Sequence, residues 1–198
     1  MLIISIWLSI SLFQGITATV QPVSQHNNLI VGRPAMIEAR QALESALKIS
    51  AQQLDWNTIA NILVEPGELR YVVHLTPFGP VDKPTVEGLV VEIEADSGSA
   101  AAVKATPVPN PMMNLAPSLQ KTKIISGPHA YQAALNAIKG YEHYDKLGRL
   151  EIRLDNDHYK VTFPDPSART DGGRAADFTY QVWIDVITMK VIKILAGS

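Results

Sequence analysis

The chain has 198 residues with a formal charge of −2, 46% apolar and 18% charged residues, and no cysteine. That balance supports a packed core and excludes a disordered chain, and without clustered Lys and Arg it excludes a nucleic-acid surface. Lacking cysteine, the protein has no disulfide, thiolate metal site or cysteine nucleophile, so outside the cytoplasm its stability must come from packing alone.

Met1 to Val20 carries no Lys or Arg, and only Gln14 interrupts its apolar or small residues. Its core, Leu2 to Phe13, has the length of a signal-peptide hydrophobic region and is short for a membrane span. Ile16-Thr17-Ala18 places a small residue before a cut after Ala18. Residues 1–18 therefore read as a signal peptide. The expected location is periplasmic or secreted, with no stable membrane span after cleavage. Residues 19–33 are a polar lead-in.

From Pro34, the residues Met36, Ala39, Leu43, Leu47 and Leu54 recur at helical spacing, with Glu38, Arg40, Glu44 and Lys48 on the other face. The helix is expected to end near Asp55. Thr58 to Glu65 and Leu69 to Thr76 read as strands around the Pro66-Gly67 turn. Leu89 to Glu94 alternates again, and Asp96-Ser97-Gly98 turns the chain into a weak strand, Ala100 to Ala105. Four prolines follow, Pro107, Pro109, Pro111 and Pro117. Proline has no N–H for a sheet ladder, so 106–125 reads as a semi-rigid linker.

Ser126-Gly127-Pro128 opens a second helix whose stripe is Ala130, Ala134, Ala137 and Ile138, with Gly140 as its stop. Leu150 to Leu154 and Tyr159 to Phe163 flank the turn Asp155-Asn156-Asp157. A polar loop holds Arg169, Asp171, Gly172-Gly173 and Arg174, and Phe178 to Val186 with Met189 to Leu195 forms the strongest hairpin. Its alternation sets Phe178, Tyr180, Val182 and Ile184 on one face and Thr179, Gln181, Trp183 and Asp185 on the other.

Gln41-Ala42 matches Gln132-Ala133, and Ile93-Glu94 matches Ile184-Asp185, each pair 91 residues apart. A fixed period of this size suggests duplication. The expected fold is α+β: two repeats, 34–105 and 126–198, each one helix plus a four-stranded antiparallel sheet, packed against each other to cover their apolar surfaces.

The second repeat resembles PepSY-type domains and the wider cystatin-like rolls. The resemblance lies in Gln132-Ala133-Ala134-Leu135, in Tyr159-Lys160-Val161-Thr162-Phe163, and in Tyr180 to Asp185 followed by Val191-Ile192-Lys193. Such domains commonly carry Thr-Gly-Lys at the last turn, where this chain has Ile187-Thr188-Met189-Lys190. Gly172-Gly173 before the final hairpin also resembles immunity proteins with a nuclear-transport-factor-two-like fold. The first resemblance implies a module that binds or inhibits a peptidase outside the cytoplasm. The second implies one that neutralises a cognate toxin. Neither supplies catalytic residues or a cofactor.

Glu142, His143, Asp145, Asp155, Asp157 and His158 are the candidate chemistry. His143, Asp145, Asp157 and His158 would be the metal ligands if the loop after the second helix met the hairpin turn. No His-Glu-x-x-His spacing fixes two of them on one face, so turn residues are the favoured reading. With no nucleophile elbow, phosphate loop or dinucleotide fingerprint, the protein is expected not to be an enzyme. A protein-binding site is instead expected at Arg169, Arg174 and Trp183, with arginines to pair with carboxylates and tryptophan as an anchor.

Overall fold

The computed structural model describes residues 36–141, 143–165 and 178–197. Within them, helix α1 (Ala39–Ser50) is followed by strands β1 (Ile59–Pro66), β2 (Arg70–Pro77), β3 (Thr85–Glu94) and β4 (Ala100–Pro109). Helix α2 (Gly127–Ala137) precedes β5 (Leu150–Asp155), β6 (His158–Pro164), β7 (Phe178–Asp185) and β8 (Val191–Ala196). All eight strands form one antiparallel sheet in the order β4-β3-β2-β1-β5-β6-β7-β8.

This overturns the expectation of two repeats, each with its own four-stranded sheet. Ile62, Leu63 and Val64 of β1 pair with Ile152, Glu151 and Leu150 of β5, so the two meanders share one sheet. The physical reason is the cost of an open edge. Each small sheet alone would leave β1 or β5 with unpaired backbone groups, and joining them removes both edges at once. Periodicity within a strand carries no information about such a partner.

Both helices cover the same face, since every inward residue of the central strands is buried: Ile62, Val64, Tyr71, Val73, Leu150, Ile152, Tyr159 and Val161. α1 ends at Ser50 rather than near Asp55, whose carboxylate instead caps a short 3₁₀ turn, Trp56–Thr58, by accepting the Asn57 N–H at 3.0 Å. At its start Gln41 Oε1 accepts the Glu38 N–H at 2.8 Å.

The linker expected over 106–125 begins inside the sheet, because Glu87 faces Pro107 and Thr85 faces Pro109 across the β3–β4 ladder. The Asn110 N–H donates to the Pro84 carbonyl at 2.9 Å, so the backbone nitrogens of 107 and 109 face away from β3. Proline is compatible with an edge strand at those positions, where its missing N–H interrupts no ladder bond. Pro111 then opens a second 3₁₀ turn, Pro111–Asn114.

One clamp occurs at both helices. The Tyr71 hydroxyl donates to the Ile37 carbonyl at 2.9 Å, and also lies 3.1 Å from the Leu147 carbonyl. The Tyr159 hydroxyl donates to the Ile125 carbonyl at 3.0 Å. Beside each, a backbone bond ties the same segment to the far end of a meander: Ile37 N–H to Ala95 O at 2.7 Å, and Ile125 N–H to Val186 O at 2.8 Å. Both tyrosines are wholly buried, and burial holds the Tyr159 phenol far above its ordinary pKa and therefore neutral. Tyr159→Phe and Tyr71→Phe should each destabilise the fold by about 1–3 kcal/mol, the usual cost of stranding a buried partner. Urea unfolding followed by tryptophan fluorescence measures this, and an unchanged midpoint would remove the clamp from the account of stability.

Candidate functional site

The sheet face opposite the helices is open, and its charges are distributed unevenly. Over β1–β4 they are paired. Arg70 contacts Glu92 at 3.0 Å and Glu94 at 3.1 Å, Lys104 lies 3.5 Å from Glu92, and His74 lies 3.3 Å from Glu65. Arg149, preceding β5, bridges Glu65 and Glu151 at 4.0 and 3.8 Å.

Over β5–β8 the register builds a different row. Arg153 faces Lys160, Lys160 faces Trp183, and Trp183 faces Lys193. Alternation puts Trp183 on this open face, because its neighbours Val182 and Ile184 are completely buried on the other. The indole is half-buried, with Lys160 Nζ 5.9 Å and Lys193 Nζ 5.1 Å from its ring centroid. Both distances are within cation–π range. Arg153 has a carboxylate partner, Asp155 at 3.7 Å. Among the described residues neither Lys160 nor Lys193 has one. The next row holds Asp155, His158 and Asp185.

Asp185 is committed to the turn between β7 and β8. One carboxylate oxygen accepts the Thr188 N–H at 2.6 Å, the Thr188 hydroxyl at 2.8 Å and the Ile187 N–H at 3.0 Å. Met189 takes a positive φ of 59° in the same turn, a conformation that glycine adopts without the steric cost a side chain meets. Hydrogen bonding from Thr188, foremost its backbone N–H, holds the Asp185 carboxyl below the ordinary 3.8.

β8 closes one side of the sheet, and its six residues are all exposed. Ile192 is 57% and Ile194 45% exposed. The site therefore combines a Lys–Trp–Lys row with an apolar edge. No family model matches the chain, and no curated protein matches it by sequence. The PepSY and immunity-protein resemblances thus rest on the quoted residues alone. Among solved structures, one from Clostridium difficile 630, described only provisionally as a lipoprotein, is 12% identical. Its alignment covers 84% of this chain and 97% of that one, with a TM-score of 0.38.

Of the expected binding residues, Trp183 stands in this row, while Arg169 and Arg174 lie outside the described residues, as does Glu142. The remaining metal candidates are not brought together. His158 and Asp157 contact each other at 2.8 Å at one end of β6. Asp145 donates its N–H to the Pro164 carbonyl at the other end, and its side chain accepts the Leu147 N–H at 2.9 Å. Those ends are about 20 Å apart at roughly 3.3 Å per residue. His143 lies on the Asp145 side, in the same connecting segment. Among the described residues no three His, Asp or Glu side chains form a group able to hold a metal.

A cleft of about 470 Å³ beside Asn61, Asn114 and residues 153–156 adjoins the row, but its charged groups, Arg153 and Asp155, face each other. The Ser126 hydroxyl meets His129 Nδ1 at 2.8 Å within the first turn of α2, and the His129 ring also meets the edge of Trp56. Lys160 and Lys193 are the residues that sequence reasoning missed. Their relation to Trp183 depends on strand register and on a bulge between Trp183 and Ile184, which composition does not reveal.

A lowered pKa in the folded state means stability that is present above the ordinary carboxylate pKa and lost as the pH falls through the folded value. Asp185→Ala should therefore lower the melting temperature at pH 7, and the gap to wild type should narrow as the pH drops below about 4. Thermal melts at both ends of that window test it; a gap independent of pH would place the effect elsewhere than in the carboxylate.

Proposed function

We infer that this protein is an exported, non-enzymatic binding module that holds a protein partner on the open face of β5–β8. The observation that carries this reading is the half-buried Trp183 between two lysines that lack carboxylate partners among the described residues. Tryptophan is among the residues enriched at interface hot spots, and the lysines beside it offer positive charge for a partner of complementary potential. A core tryptophan would instead face the helices.

The resemblance of the second half to PepSY-type domains makes an extracytoplasmic peptidase the first partner class to test, with inhibition as the consequence. A toxin, from the weaker likeness to immunity proteins, is the alternative. Among the described residues no helix is long and apolar enough to cross a membrane, and export rests on the reading of Met1 to Ala18 as a signal peptide.

Tagged protein should capture its partner from the extracytoplasmic fraction of the native host, and Trp183→Ala should reduce capture by about tenfold or more, the scale of a hot-spot loss. A captured peptidase that loses activity on stoichiometric addition supports inhibition, and a captured toxin supports the alternative. Capture indifferent to Trp183→Ala rejects this face. For export, mass spectrometry of the protein isolated from its host should find a first residue near Thr19; an intact Met1 segment would instead indicate retention as an anchor.

A further inference from the structure

The two edges of the sheet differ in what they leave available. β4 carries proline at 107 and 109, where the backbone nitrogens face outward, so both outer donors are missing along that stretch. Such an edge resists strand addition. β8 contains no proline. The Gly197 N–H donates to the Thr179 carbonyl at 2.9 Å, which fixes the phase of the β7–β8 ladder. In that phase Lys193 and Leu195 turn their N–H groups to β7, while Ile194 and Ala196 turn theirs outward.

The side chains add a chemical preference. Lys193 and Leu195 lie on the open face, opposite Trp183 and Gln181, and Val191 and Ile194 lie on the other face, opposite Ile184 and Val182. A strand added beside β8 at about 4.8 Å would set one row of side chains against exposed aliphatics and the other against Lys193. We propose that the β8 edge accepts an extended segment of the partner, apolar on one face and acidic on the other. The acidic residue opposite Lys193 neutralises the cationic row, and the apolar residues cover Val191 and Ile194. This deepens the proposed function and rests on its reading of the β5–β8 sheet as the partner face.

A second copy of β8 fits less well. In the two-fold register centred on Lys193, the two lysines oppose each other, which destabilises a pair. Centred on Ile194, each Lys193 faces a Leu195, and no anion reaches either row. Charge complementarity therefore selects an acidic strand over self-association.

The test is fluorescence anisotropy of the purified protein with two labelled peptides of equal length, one alternating valine and glutamate, the other valine and lysine. The glutamate peptide should bind about tenfold more tightly, since exchanging an attractive cross-strand pair for a repulsive one is worth roughly 1.4 kcal/mol. Lys193→Glu should reverse the order. Ile194→Pro removes an outward N–H without breaking the β7 ladder, and should abolish binding of both. Equal affinities, binding unaffected by Ile194→Pro, or no binding of either peptide at millimolar concentration would overturn the proposal. So would a sedimentation dimer that Ile194→Pro dissolves, because a second copy would then fill the edge. Capture of a partner that is sensitive to Trp183→Ala but survives Ile194→Pro removes the edge while leaving the binding face in place.

Discussion

The pairing of β1 with β5 is the constraint from which the rest of the architecture follows. It spans only three residue pairs, yet it converts two four-stranded meanders with four edges between them into one sheet with two. The junction is reinforced beyond its ladder. β1 bulges between Ile59 and Asn61, and the Asn61 side chain accepts the Leu154 N–H at 2.7 Å where a backbone carbonyl would otherwise be expected. The side chain thus supplies the acceptor the backbone has lost, as a buried donor requires. α2 begins directly over this bulge. A Cβ on Gly127 would lie 2.6 Å from the Ala60 carbonyl oxygen, so only glycine lets the helix start approach so closely.

With the sheet joined, both helices are held against one face, and the two tyrosines decide where each begins. A phenol can fill apolar volume and still complete a hydrogen bond at its tip. Tyr71 and Tyr159 each do both, from inside the sheet to the segment just before a helix. Each pinned segment is also tied by its backbone to the far side of a meander, at Ala95 or Val186. Helix, central strand and outer hairpin are thereby coupled through one short stretch. Among the described residues this leaves the opposite sheet face uncovered and available to charge.

Much of this was legible in the sequence wherever the signal was local. Alternation placed Val182 and Ile184 against Trp183 on opposite faces, and three- and four-residue spacing found both helices. Apart from the end of α1, the failures share one origin: they concern partners distant in sequence. Nothing in Ile62 to Val64 names Leu150 to Ile152 as its neighbour, so two sheets were expected where one forms. The prolines at 107 and 109 indicate a linker if every N–H is assumed necessary, and an edge strand once the outward-facing positions are known. His143 and Asp145 lie close to His158 in the chain but at the other end of β6, because an antiparallel strand carries the chain away from its own turn. The Lys–Trp–Lys row was hidden for the same reason, being assembled from three strands.

The consequence for function is an asymmetry that the β1–β5 junction creates. Joining the meanders there commits β4 and β8 to being the two outer strands, and their residues match different fates. Prolines and a Lys104 engaged by Glu92 blunt the first. The second presents aliphatic residues, outward donors with no backbone partner among the described residues and a lysine turned back over an indole. A solvent-exposed aliphatic edge is an aggregation hazard that proteins ordinarily suppress. Suppression at one edge beside exposure at the other is a difference that stability alone does not call for. It is economical if the exposed edge and the cationic row next to it share one occupant, because a single acidic strand would cover the aliphatics and neutralise the lysines together.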